Sequence, residues 1–102
     1  MVFGSTITSM IIEFDSDKSR RNIEVRGLSF ERAADFDFET AHVWEDLRKD
    51  YPERRFVAVG FLESRLHVLA FSPKAGGIRV ISFRKANHRE VRTYEKAIAA
   101  ND

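Results

Sequence analysis

The chain is 102 residues long and 43% hydrophobic, with nine phenylalanines and no cysteine. That length fits one domain with a fair core, the apolar content excludes a disordered chain, and the missing cysteine excludes disulfides and thiolate chemistry and fits a reducing compartment. The net charge of +1 conceals an asymmetry, since residues 1–50 hold 7 basic and 11 acidic side chains whereas residues 51–102 hold 10 basic and 5 acidic.

Met1 to Phe14 is apolar but has no Lys or Arg, so it lacks the basic region of a secretory signal. No apolar stretch approaches the length of a membrane span, and the expectation is a soluble, cytoplasmic chain. Met10–Phe14 reads as a short strand, with an alternative start at Thr6. Asp15 is an N-cap for a helix over Ser16–Arg26, and Gly27 stands where a left-handed C-cap belongs. Ile23 and Val25 are its main apolar residues, which predicts a peripheral helix. Ser29 caps a second short helix, Phe30 to about Asp35, offering Phe30, Ala33 and Ala34 to the core. Asp35–Pro52 has no clear period; it holds a short extended piece around Thr40–Trp44 and then a loop.

Three strands follow, Arg55–Leu62, Arg65–Ser72 and Ile78–Arg84. Glu63-Ser64 makes the first tight connection, and Pro73–Gly77 the second. Asn87 and Glu90 have the spacing of a capping box opening a last helix, with Val91, Tyr94 and Ile98 on one face. The order predicts an α+β domain: a small antiparallel sheet, made of a three-stranded meander plus a short N-terminal strand, with two N-terminal helices and one C-terminal helix. Arg55–Leu62 is apolar on both faces, which predicts a central strand covered on both sides. Three short helices leave part of that cover to a partner protein.

The chemistry narrows by elimination. His42, His67 and His88 are scattered, none at the i, i+4 spacing of a zinc helix, so no metal ligand is expected. There is no Walker loop and no G-x-G-x-x-G, and no serine has a nucleophile-elbow context. Between Arg79 and Arg92 stand five basic residues, Arg79, Arg84, Lys85, Arg89 and Arg92, against Glu90 alone. A stripe of this kind is the footprint of a polyanion partner, or simply a solvated surface.

Within the stripe, Ile78-Arg79-Val80-Ile81-Ser82-Phe83-Arg84-Lys85-Ala86, followed by Glu90 and Tyr94, resembles the BrnT toxins, whose last strand and helix carry I-R-[IV]-I-S-x-R-K-A and then E-x-x-x-Y. Phe14-Asp15 with Lys18 and Asn22, then Gly27-Leu28-Ser29-Phe30-Glu31 and Ala33, are similar to the family's opening, and Arg55-Phe56 through Gly60 to its R-F…G strand. The resemblance covers about residues 10–98 of a single domain, with residues 1–9 as an extension ahead of the family's usual beginning. One departure matters. The family commonly ends its first helix K-H-G, where this chain has Val25-Arg26-Gly27.

The resemblance implies a RelE-like fold and the toxin of a type II toxin–antitoxin system. Such a toxin is a metal-independent endoribonuclease without cofactor, neutralised by a ribbon-helix-helix antitoxin through which alone it meets operator DNA. Metal-free RNA cleavage uses the ribose 2′-OH against the adjacent phosphorus. It needs a base, a proton donor for the leaving oxygen and fixed cations for the phosphate. The candidates are Arg55, Arg79 and Arg84 converging on one phosphate, and Glu90 as base with Lys85 or His67 as alternatives. Lys85, Tyr94 and Arg26 are expected to bind substrate, Tyr94 by stacking a base or donating a hydrogen bond. Strict strand alternation separates Arg79 from Arg84, and they serve one site only if the strand bulges or ends near Ser82. The competing readings are a catalytically silent relative acting as a co-repressor with its antitoxin, and an RNA-binding domain that does not cleave.

Overall fold

The structure, a computed structural model, describes residues 10–100. In chain order it consists of β1 (Ile11–Glu13), α1 (Ser16–Arg26), a 3-10 helix (Phe30–Asp35), β2 (His42–Glu45), β3 (Phe56–Leu62), β4 (Arg65–Lys74), β5 (Gly77–Lys85) and α2 (His88–Ala100). No helix among the described residues is long and apolar enough to cross a membrane. The alternative start at Thr6 and the extension 1–9 lie outside the described residues.

Short-range chemistry sets the helix ends as expected. The Asp15 carboxylate accepts the backbone N–H groups of Asp17 and Lys18, and Gly27 closes α1 at φ 68°, which a residue with a Cβ adopts only at a cost. Ser29 caps the 3-10 helix through the N–H of Glu31. Asn87 and Glu90 exchange side-chain-to-backbone hydrogen bonds of 2.8 and 2.9 Å at the start of α2, a complete capping box.

The α+β class holds, but the sheet differs from the expected one. It has five strands, in the order β1-β5-β4-β3-β2, and it is mixed: β1 runs parallel to β5 while the other pairs are antiparallel. Tight turns dictate the antiparallel meander. The direction of β1 is set instead by α1 and the 3-10 helix, which carry the chain across one face before it returns as β2 at the far edge. The central strand is β4, not β3. Apolar residues on both faces of β3 report that both faces are covered, which a strand next to the edge also satisfies. β4 and β5 extend to Lys74 and Gly77, beyond the ends predicted at Ser72 and Ile78.

One face of the sheet packs under α1 and the 3-10 helix and holds the main core, including Phe30, Ala33, Phe36, Leu69, Phe71, Ile78, Val80 and Phe83. Ala34, by contrast, is exposed. The other face is covered only in part: Val59, Leu66, Val68, Ala86 and Tyr94 cluster beneath α2. These are termed the covered and the open face.

β5 serves both. Ala70 pairs with Ser82 but Phe71 pairs with Val80, so Ile81 is an extra residue, a β-bulge. Ile78, Val80 and Phe83 therefore all point into the covered core, while Arg79, Ser82 and Arg84 share the open face. This is the geometry that the two arginines required.

α1 docks by its polar side. Ile23 is 48% and Val25 72% exposed, as a peripheral helix allows, whereas Ser19 and Asn22 are buried. The Ser19 hydroxyl accepts the N–H of Phe30, and the Asn22 amide donates to the carbonyls of Leu28 and Phe83, both at 2.9 Å. β1 pairs only Gly77–Arg79 of β5, so Asn22 supplies a donor where that edge has no neighbouring strand. A buried carbonyl left without its partner costs about 1–3 kcal/mol. Asn22→Ala is thus expected to destabilise the fold by roughly 2 kcal/mol or more in urea titration, and Val25→Ala by less than about 0.5. The reverse ranking would show that α1 is held by its apolar residues after all.

Candidate active site

The open face is a grid set by strand register. His42, Val59, Val68 and Arg84 form one cross-strand row, and Trp44, Val57, Ala70 and Ser82 the next. Ser72 and Arg79 pair in a third, with Arg55 just before β3 on the same side. Ser72 and Val68 are four residues apart on β4, so the Arg79 and Arg84 rows lie about 13 Å from each other. Two concavities occupy this face. A groove of about 650 Å³ runs over the first two rows and is walled by Arg89, Glu90, Thr93 and Tyr94 of α2 and by the chain after β2. A smaller pocket of about 320 Å³ adjoins the third row and contains Lys18, Tyr51, Arg55 and Arg79.

In the groove, Arg84 donates from Nη1 and Nη2 to the two oxygens of Glu90, at 2.8 and 2.7 Å, and from Nη1 to the Lys85 carbonyl. The Nε–H and the second Nη2 hydrogen have no protein partner among the described residues, and together they form the side-on fork that fits two oxygens of a phosphate. Glu90 accepts a third hydrogen bond from the Asn87 N–H. The Arg84 guanidinium, more than any other cause, holds the Glu90 carboxyl below its usual range. An arginine fixed this way is pre-organised, and a carboxylate spent this way is a weak base.

The chain after β2 is built on Asp46. Its almost wholly buried carboxylate accepts from Arg48 Nε and Nη2, at 2.9 and 2.8 Å, from the Arg48 N–H and from the Tyr51 hydroxyl. The Arg48 side chain holds that carboxyl far below the ordinary carboxylate range. The Tyr51 ring in turn supports the Arg55 guanidinium, 3.9 Å from its centre. Arg79 donates to Glu13 at 2.8 Å.

Among the predicted site residues, then, Arg84, Glu90 and Tyr94 meet at the groove, and Arg55 and Arg79 meet at the adjoining pocket. One phosphate shared by all three arginines is not the arrangement found, because the rows are too far apart. The Tyr94 ring is buried edge-on to Phe61 and its hydroxyl donates to the Thr40 carbonyl at 2.8 Å, tying α2 to the segment before β2. Lys85 falls on the covered side of β5, opposite His67, and borders neither cavity. Arg26 donates to Asn22 and also borders neither. His67 is buried against Phe83, with Nδ1 on the Arg65 carbonyl, and burial holds its pKa down.

Two groove residues escaped the sequence reading: His42 and Trp44, whose rings pack 5.2 Å apart on β2. The period-two spacing His42-Val43-Trp44 was the available signal, too short to stand out beside the longer strands. Among the described residues no three His, Asp or Glu side chains gather as metal ligands.

A family-wide sequence profile described as "Ribonuclease toxin, BrnT, of type II toxin-antitoxin system" matches residues 14–90. The chain belongs to the BrnT family. A crystal structure of the Brucella abortus ribonuclease toxin, BrnT, is similar: 30% identity, a TM-score of 0.57, and coverage of 78% of this chain and 99% of that one. No match was found among curated proteins. The BrnT match ends at Glu90, and so spans the bulged strand, the Arg84–Glu90 pair and both groove residues on β2.

The ion pair has a pH signature. Glu90 titrates lower in the folded chain than in the unfolded one, so its contribution is present above the unfolded pKa of about 4.3 and is lost as pH falls through the folded value. The stability gap between wild type and Glu90→Gln should therefore be widest near neutrality and shrink below about pH 4. A gap that stays constant in urea titrations from pH 7 to pH 3 would show that the pairing is not ionic.

Proposed function

We propose that this BrnT-family chain is an endoribonuclease toxin that cleaves RNA at the open-face groove without a metal ion. The observation that carries the reading is Arg84, clamped by Glu90, with a two-donor fork unspent, in the wall of a groove wide enough for a nucleotide.

In this reading the scissile phosphate sits on the Arg84 fork. The ribose 2′-oxygen attacks phosphorus and loses its proton to a base; the P–O5′ bond breaks and the 5′-oxygen is protonated. The products are a 2′,3′-cyclic phosphate and a 5′-hydroxyl. Arg84 neutralises the charge that builds on the non-bridging oxygens, a role in which one fixed donor contributes about 10²–10³ in rate. Glu90 is better placed to hold Arg84 than to act as base, since all its hydrogen bonds stabilise the carboxylate. His42, the groove's imidazole, stands in the same row three strands from Arg84, about 14 Å away, so it lines the far side of the groove and does not reach a hydroxyl beside the Arg84 phosphate. Arg55 and Arg79, about 13 Å away along the strands, hold a flanking phosphate instead of the reacting one.

Purified protein in excess EDTA should cut single-stranded RNA to fragments with cyclic phosphate and 5′-hydroxyl ends. Cleavage that requires an added divalent ion, or ends of the opposite polarity, overturns the mechanism. Arg84→Ala should lower the single-turnover rate by about two orders of magnitude or more. Arg79→Ala should mainly raise KM, and an equal loss in the rate of both would place them on one phosphate.

The partner is the antitoxin of a type II pair, proposed as a ribbon-helix-helix protein that covers the open face and alone contacts DNA. The support is the incomplete cover of that face by α2, which leaves the groove with an apolar floor of Val57, Val59, Val68 and Ala70. Co-expression with the adjacent reading frame should yield one stable complex in which cleavage is suppressed. A toxin that elutes alone, with growth unaffected when its neighbour is absent, would count against the pairing and favour a silent relative.

A further inference from the structure

Trp44 is the only tryptophan in the chain and stands 42% exposed at the rim of the groove. It is not there to close the core, for neither buried cluster includes it. Its orientation is nonetheless constrained. The His42 ring packs against it at 5.2 Å, and its register partner Val57 is part of the groove floor. An indole held from one side and open on the other offers a flat π-surface. Across the same groove, three strands away, stands Arg84 with its unspent fork, and α2 contributes Arg89, which makes no ion pair among the described residues. A flat aromatic surface sharing a groove with free guanidinium donors suits a short single strand, since one base needs a stacking face and a phosphate farther along needs a bidentate cation.

We infer that Trp44, braced by His42, is a stacking subsite for one unpaired nucleobase of a single-stranded RNA, on the opposite side of the groove from the phosphate held at Arg84. The inference rests on the ribonuclease reading for the identity of the ligand. A base engaged in a duplex has both faces covered and cannot occupy the subsite, so the groove selects single strands or extruded bases. Stacking is tolerant of base identity, so Trp44 confers strandedness and register rather than sequence.

The lone tryptophan makes the subsite directly observable. The probe is an octanucleotide carrying 2′-O-methyl groups throughout, which removes the attacking hydroxyl and prevents cleavage. Added to the full-length chain, it should quench Trp44 fluorescence saturably, whereas an abasic strand of the same length and charge should not quench and should bind about tenfold more weakly. A duplex of the same sequence should behave like the abasic strand. By anisotropy of the labelled octanucleotide, Trp44→Ala should raise Kd about tenfold, and Trp44→Phe should restore most of the affinity by returning an aromatic face. The Phe variant also guards against misfolding of β2 as the cause.

Saturable binding without quenching, with an unchanged Kd in Trp44→Ala, overturns the subsite. So does quenching by a co-expressed protein partner and not by RNA, which would make Trp44 a protein contact. The two readings fail separately. Cleavage of unmodified RNA without quenching removes the subsite and keeps the nuclease, and quenching without cleavage does the opposite.

Discussion

One extra residue in β5 governs how this small domain divides its labour. A strand with uninterrupted alternation would send Arg79 and Phe83 to the same face and leave either the core short of an aromatic ring or the open face short of an arginine. Ile81 absorbs the conflict. Because Ala70 pairs with Ser82 and Phe71 with Val80, the face assignment inverts at Ile81, and Phe83 joins Ile78 and Val80 in the core while Arg79 and Arg84 both reach the open side. A bulge gives up ladder pairing and bends the strand. Here it is the condition for having a core and a cationic surface on one strand.

The C-terminal helix is tied to the site by the same side chain that starts it. Glu90 closes the capping box with Asn87 and simultaneously clamps Arg84. The start of α2 is therefore also the support that fixes the guanidinium, and Tyr94, one turn on, anchors the helix to the Thr40 carbonyl. Cap and ion pair are not alternative roles for Glu90 but one arrangement. This coupling explains why arginine, glutamate and tyrosine fall at fixed intervals over the strand–helix junction: each spacing places a side chain on the open face or on the inner face of α2.

Charges on the open face are mostly spoken for. Asp46 pairs with Arg48, Glu90 with Arg84 and Glu13 with Arg79. Such pairs add little to stability where they are exposed, yet they hold long side chains in single orientations. The arrangement gives oriented donors rather than a diffuse basic field, and an arginine that has spent only one of its two forks on a carboxylate still has the other for an anion. The partial cover by α2 has the same sense: it leaves a groove with an apolar floor and polar walls where full coverage would bury the donors.

Local rules in the sequence determined much of this. Caps at Asp15, Gly27, Ser29 and Asn87, the three-strand meander and the C-terminal amphipathic helix depend on neighbours a few residues apart, and the residues themselves specify them. The motif over Ile78–Ala86 with Glu90 and Tyr94 pointed to the family and marked Arg84 and Glu90 as site candidates, though not as partners of one another. What the sequence did not determine was everything that depends on distant partners. The parallel direction of β1 is set by a crossover rather than a turn, and α1 docks through Asn22 to a carbonyl sixty-one residues away. His42 and Trp44 sit on a four-residue edge strand whose period is too short to read, and only pairing with Val59 and Val57 turns them toward the groove. Alternation assigns faces along a strand, but which face becomes the core, and where the alternation breaks, is decided by the packing of the whole sheet.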